Sequence, residues 1–130
     1  RWLGGTLTNF KVINSRVKKL EEMERQQKSG ELENKYTKKE RLMFDREMKK
    51  MGERFEGLKK LTKMPDLVFV SSLKESALPV REAKRMGIKV AAISNTDADP
   101  EEADYVIPAN DRSKKSVDLI VSTIKEELAE

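Results

Sequence analysis

Pro65-Asp66-Leu67-Val68-Phe69-Val70 is the stretch that decides the fold. Before it, apolar residues recur at helical spacing; from it onward they come in short continuous runs. Pro65 closes the helical region, and Leu67 to Val70 read as a strand buried on both faces. Residues from about Glu75 to Met86 predict an amphipathic helix, with Ala77, Leu78, Val80, Ala83 and Met86 available to its buried side and Gly87 as its cap. Ile88 to Ile93 is the next buried strand. Strand, helix and strand with a short return make a right-handed parallel βαβ unit. Asn95 to Asp104 reads as a turn-rich loop, Tyr105-Val106-Ile107 as a third short strand, and Ser113 to Leu128 as a closing helix.

Upstream of Pro65 the period changes. From about Thr8 to Lys28, Phe10, Ile13, Val17, Leu20 and Met23 form one helical stripe, ended by Ser29-Gly30. Residues 29–36 read as a loop. Thr37-Lys38-Lys39-Glu40 has capping-box spacing. Behind it, Phe44, Met48, Met51, Phe55 and Leu58 alternate steps of four and three, the seam of an antiparallel helix pair. Gly52 and Gly57 mark where this second helix is expected to bend or fray. The expected class is therefore α/β: an open parallel sheet, flavodoxin-like and incomplete with three strands, carrying an inserted antiparallel coiled-coil hairpin. Residues 1–7 form a junction from upstream sheet, 8–64 the hairpin and 65–130 the parallel α/β domain.

The chain has 130 residues, 38% of them charged, with neither cysteine nor histidine. Disulfides, thiolate metal sites and Ser-His or Cys-His catalytic pairs are excluded. No apolar run approaches 18 residues and no signal-peptide pattern occurs, so a soluble intracellular protein without membrane contact is expected. Residues 1–65 carry 18 Lys and Arg against 10 Asp and Glu, and residues 66–130 carry 9 against 13, so the net +4 divides into +8 and −4. That asymmetry suggests a polyanion-facing element on an ordinary folded domain, although lysine-rich helical faces also occur simply for solubility.

Several motifs also admit plainer roles. Asn95 to Asp104 gathers carboxylates after a strand, where open α/β sheets place ligand crevices. It lacks the ligands and the turn glycine of a metal loop, so its acids read as turn formers and caps. No G-x-G-x-x-G or G-x-x-x-x-G-K pattern occurs, and no acid-base pair is brought together. No catalytic residue, metal site or cofactor is predicted. In Ile107-Pro108-Ala109-Asn110-Asp111, Asn110 or Asp111 reads as a cap for the last helix, or as part of a contact surface with Arg112.

Phosphate neutralisation by Lys and Arg drives salt-sensitive nucleic-acid binding, and structured RNA is recognised through shape, phosphates and 2′-hydroxyls. The candidate RNA-binding residues are Arg1, Trp2, Thr6, Asn9 and Lys11 at the junction; Lys35, Lys38 and Lys39 at the second helix start; Lys59, Lys60 and Lys63 at its end; and Asn110 and Arg112 at the sheet edge. Other hairpin cations have acidic neighbours such as Glu21, Glu22, Glu40 and Glu47, and part of that set reads as intrahelical pairing.

The opening decamer, Arg1-Trp2-Leu3-Gly4-Gly5-Thr6-Leu7-Thr8-Asn9-Phe10, reads as a strand end, tight turn and helix start. Thr6, Thr8 and Asn9 are available there as caps, with Arg1 and Trp2 either exposed to a partner or packed beneath the turn. The decamer resembles the junction of the bacterial-type small-subunit ribosomal protein two family. Thr37-Lys38-Lys39-Glu40, Gly57-Leu58-Lys59, Met64-Pro65-Asp66, Glu82-Ala83 with Gly87-Ile88, Asp99-Pro100 and Ile107 to Asp111 follow in the same order.

The resemblance implies a non-catalytic structural component of the small ribosomal subunit that binds ribosomal RNA and supports assembly and translation. It implies a cytoplasmic or organellar ribosome, contact with neighbouring small-subunit proteins including a large RNA-binding one near the messenger exit, and no DNA partner. It also implies upstream sheet strands before Arg1. The sequence departs from the family at Glu56-Gly57, at Ser72, Lys74 and Ala77, and at Asn95 and Asp97, so no relative's metal site is carried over. The alternative is a flavodoxin-like ligand-binding domain with a coiled-coil interaction arm, its ligand at Ser71–Lys74 and Asn95–Asp99. A third reading is an arm that contacts only protein.

Overall fold

The computed structural model describes residues 2–30 and 36–129. Its contacts separate two compact units, Asn9–Met64, and Arg1–Thr8 with Pro65–Glu130. The described residues include four α-helices and one three-stranded parallel open sheet, an α/β architecture.

In the first unit, helix α1 spans Phe10–Lys28 and buries Val17, Leu20 and Met23. Its end is the expected one: Gly30 has φ 73°, and its N–H donates to the Gln27 carbonyl. Helix α2 spans Lys38–Phe55 behind a complete capping box, in which the Thr37 hydroxyl accepts from the Glu40 N–H and the Glu40 carboxylate accepts from the Thr37 N–H. α2 continues through Gly52 and gives way to a 3₁₀ turn at Glu56–Leu58, so only the second glycine coincides with a change of helix type. The two helices are in contact with each other. Phe44, Met48, Met51, Phe55 and Leu58 are half-buried, and no α2 residue is fully enclosed.

The second unit is built on strands β1 (Leu67–Val70), β2 (Lys89–Ser94) and β3 (Tyr105–Pro108), hydrogen-bonded in the order β1-β2-β3. Both pairings are parallel, with Val68 opposite Val90 and Ala92 opposite Val106. Helix α3, Ala77–Arg85, packs on β1 and β2. Its C-terminus is a Schellman motif: Gly87, at φ 70°, donates to the Lys84 carbonyl and Ile88 donates to Ala83. α3 starts two residues later than its periodicity predicts, because Ser72 turns the chain first. The Ser72 hydroxyl accepts from the Glu75 N–H, and the Ser72 carbonyl accepts from Ser76. Helix α4 spans Lys114–Glu127.

The core of this unit comprises Leu7, Val68, Val70, Leu73, Val80, Ala83, Ile88, Val90, Ala92 and Ile93. Burial of β1 on both faces is corrected: Val68 and Val70 are enclosed, but Phe69 is half-buried and Leu67 exposed. The central strand β2 is flanked on both sides and buries Ala92, Ile93 and Ser94 in succession. β1 and β3 each have one sheet neighbour among the described strands, and β3 and α4 enclose no residue fully.

Candidate nucleic-acid interface

The junction is organised by a side chain distant in sequence. Gly5 adopts φ 89°, a conformation natural to glycine and strained for residues with a Cβ. The turn aims successive N–H groups at the α3 carboxylate of Glu82, which accepts from Gly5 at 2.7 Å, from Leu7 at 2.9 Å and from Thr8 at 3.5 Å. Glu82 is only 6% exposed. Burial acts to raise its pKa, but the amides of Leu7, Gly5 and Thr8 together outweigh that effect and hold the carboxyl below its ordinary value. The Trp2 indole N–H also favours the charged carboxylate, although this buried nitrogen makes no hydrogen bond of ordinary geometry.

Local capping by Thr6, Thr8 or Asn9 is thereby corrected. The Thr6 hydroxyl donates to the Leu3 carbonyl at 2.6 Å, and no cap bond forms at Asn9. Thr6 is 1% exposed, so its side chain offers no face to a ligand. Trp2 is half-buried, while Asn9 and Lys11 are exposed. Arg1 and Lys35 lie outside the described residues.

In the helical unit, Glu40, Asp45 and Glu47 of α2 are engaged away from its cations. Glu40 is engaged by Thr37, Asp45 accepts from Gln27 on α1 at 3.0 Å, and Glu47 accepts from Lys19 on α1 at 2.8 Å. The Lys19 hydrogen bond is the main cause of a lowered Glu47 pKa. The pairing of Glu40 and Glu47 within α2 is thus corrected to a cap and an interhelical bridge. Only Glu53 remains without a bond to a described residue.

Lys38, Lys39, Arg46, Lys49 and Lys50 are exposed and make no hydrogen bond or ion pair with a described residue. Lys39, Arg46 and Lys50 recur at steps of seven and four, which places them along the side of α2 opposite Phe44, Met48, Met51 and Phe55. Exposed Leu42 and Met43 lie beside that line. Lys60 and Lys63 are exposed too, but Lys59 is corrected: its ammonium donates to both Glu24 carboxylate oxygens, at 2.7 and 2.9 Å, and that bond raises its pKa. Arg46 and Lys50 were not among the candidate contacts, because acids nearby in sequence offered part of that set intrahelical partners.

At the carboxyl ends of the strands, three loops meet. Asp97 accepts from Lys74 at 2.9 Å and from Arg112 at 2.6 Å, and the Lys74 hydrogen bond is the main influence lowering its pKa. Ser72 donates to Asp111 at 2.6 Å. Neither Asn110 nor Asp111 caps α4 directly. Ser113 stands at the cap position, while Asn110 closes an Asx turn by accepting from the N–H groups of Arg112 and Ser113. Arg112 is therefore exposed but bridged, and Asn110 is engaged locally.

Two further acids of the loop after β2, Asp99 and Asp104, also have partners. Asp99 accepts from Glu101, and Asp104 accepts from Lys89 and from the Val90 N–H, with Lys89 the main cause of its lowered pKa. An open groove of about 530 Å³ runs beside this edge, between Asn95, Ala98, Val106 and Pro108. Among the described residues, no cation lies on its wall.

The sequence has counterparts among known proteins. The profile of one family, described as Ribosomal protein S2, matches residues 1–130. A small ribosomal subunit protein uS2 from Fusobacterium nucleatum is 42% identical over 130 residues, covering 100% of this chain and 53% of the relative. The protein of the same name from Acidothermus cellulolyticus is 41% identical over 130 residues, covering 100% and 47%. That from Chloroherpeton thalassium is 44% identical over 124 residues, covering 95% and 49%. The chain thus spans about half the length of these curated relatives. A family match along every residue, joined to relatives well above 30% identity, establishes that the chain belongs to the ribosomal protein S2 family.

Proposed function

We propose that this chain acts in a structural constituent of the small ribosomal subunit, binding ribosomal RNA and supporting subunit assembly and translation. The observation that carries this reading is the net cationic side of α2, where Lys39, Arg46 and Lys50 outnumber the single acid Glu53. Lys39, Arg46 and Lys50 stand in line while neighbouring acids are held by Thr37, Gln27 and Lys19. An aligned row of exposed cations suits phosphate contacts, which release counterions and need no base-reading motif.

In this reading α1 and α2 run antiparallel as a coiled-coil hairpin, residues 8–64 form the RNA-facing element and residues 65–130 form the parallel domain. Lys11, Lys38, Lys60 and Lys63 extend the contact. The partners are small-subunit ribosomal RNA and neighbouring small-subunit proteins, including a large RNA-binding one near the messenger exit, in a cytoplasmic or organellar ribosome. No described helix is long and apolar enough to cross a membrane.

The test is binding of the full-length protein to small-subunit ribosomal RNA over a salt series, with K39Q/R46Q/K50Q as the variant. Wild-type binding is expected to weaken steeply with salt. The variant is expected to lower the slope of log affinity against log salt by about 2 to 3. A variant indistinguishable from wild type, or a wild type that neither binds this RNA nor co-sediments with small subunits, overturns the reading.

A further inference from the structure

A second cationic feature lies in the unit that carries the sheet. Beside the junction is a groove of about 280 Å³ whose wall includes Gly5, Thr8, Leu78, Arg81, Glu82 and Arg85. Arg81 and Arg85 are one helical turn apart on α3, so their side chains leave the helix on one face, from Cα atoms about 6 Å apart along the axis. Both residues are exposed, and neither makes a hydrogen bond or ion pair with a described residue.

The acid between them in sequence, Glu82, does not neutralise them by direct pairing. Its oxygens are directed into the junction amides of Gly5, Leu7 and Thr8. Two roles are thus divided within one helical turn: Glu82 fixes the turn, and Arg81 and Arg85 are left to face an open groove. Thr8 is exposed at its wall, and Leu78, 48% exposed, adds an apolar surface.

We propose that this groove is a second RNA contact, in which Arg81 and Arg85 clasp backbone phosphate while Leu78 packs against the adjoining ribose. The inference rests on the RNA-binding reading above but concerns a different surface. Guanidinium forks match phosphate oxygens in pairs, and an uncharged apolar patch beside them suits a sugar better than a second anionic group. An acidic protein segment is the competing occupant.

The experiment compares the full-length wild type, R81Q/R85Q, R81K/R85K and K39Q/R46Q/K50Q on small-subunit ribosomal RNA, with hydroxyl-radical footprinting and a salt series. R81Q/R85Q is expected to bind about tenfold more weakly, to lower the salt slope by 1 to 2, and to lose protection at nucleotides that the α2 variant still protects. R81K/R85K, which keeps the charge but not the fork, is expected to retain the slope and lose part of the affinity.

Unchanged affinity and footprint in R81Q/R85Q, while the wild type binds and the α2 variant is impaired, overturns this inference alone. Failure of the wild type to bind overturns both readings. A photo-crosslinker at Leu78 in assembled subunits is expected to label RNA, and exclusive labelling of a protein chain assigns the groove to the competing partner. Unchanged circular dichroism and urea unfolding keep a folding defect from being read as lost contact.

Discussion

At the scale of single residues, Glu82 and Gly5 are complementary. Glycine allows the turn that converges three N–H groups, and the carboxylate supplies the negative charge on which they converge. Removing the acceptor leaves donors buried without partners, a larger cost than the net gain from any one hydrogen bond. E82A is expected to destabilise the protein by about 3 kcal/mol in urea unfolding, and E82Q by less, because its amide retains one acceptor oxygen. The sign of the pH dependence follows from the lowered folded-state pKa. The charged carboxylate's advantage is complete above the unfolded value of about 4.3 and declines as pH falls through the lower folded value. The stability difference between wild type and E82Q is therefore expected to shrink below about pH 4, and a constant gap down to pH 2 would contradict the proposed electrostatic tie.

At the scale of elements, α2 combines a legible start with a hidden charge pattern. The capping box was readable from Thr37 and Glu40 because both partners lie within one turn. T37A is expected to cost about 1 kcal/mol in thermal or urea unfolding, and T37S to recover most of it. Equal stability of T37A and wild type would show that the helix start is held by other contacts. The charge pattern was not readable, because Asp45 and Glu47 bond to α1 residues 18 and 28 positions away. The same limit applied to Lys59, whose partner Glu24 lies 35 positions upstream. Periodicity predicts which residues share a face, whereas opposing charges pair according to the register between helices.

At the scale of the whole chain, burial follows the order of the sheet. β2 lies between β1 and β3 and contains the most continuously buried backbone, so its amides are expected to exchange slowest with deuterated solvent. Val90, Ala92 and Ile93 are the measurement points, with α4 amides expected to exchange sooner because that helix encloses no side chain. Faster exchange at β2 than at α4 would contradict this ranking. The carboxyl edge is a separate case, where Asp97, Lys74 and Arg112 come from three loops and are joined only by the fold.

The order of strands and helices, the helix caps at Thr37, Gly30 and Gly87, and the parallel α/β class were determined by the sequence itself. Apolar spacing, glycine conformation and short-range capping act within a few residues, where the order of side chains is sufficient. Tertiary structure alone decided that Glu82 receives the junction amides, that Arg112 is bridged, and that Lys39, Arg46 and Lys50 make no direct pair with a described residue. Those outcomes depend on which distant groups come within hydrogen-bond distance after folding, and charge or residue type cannot specify that separation before the chain has closed.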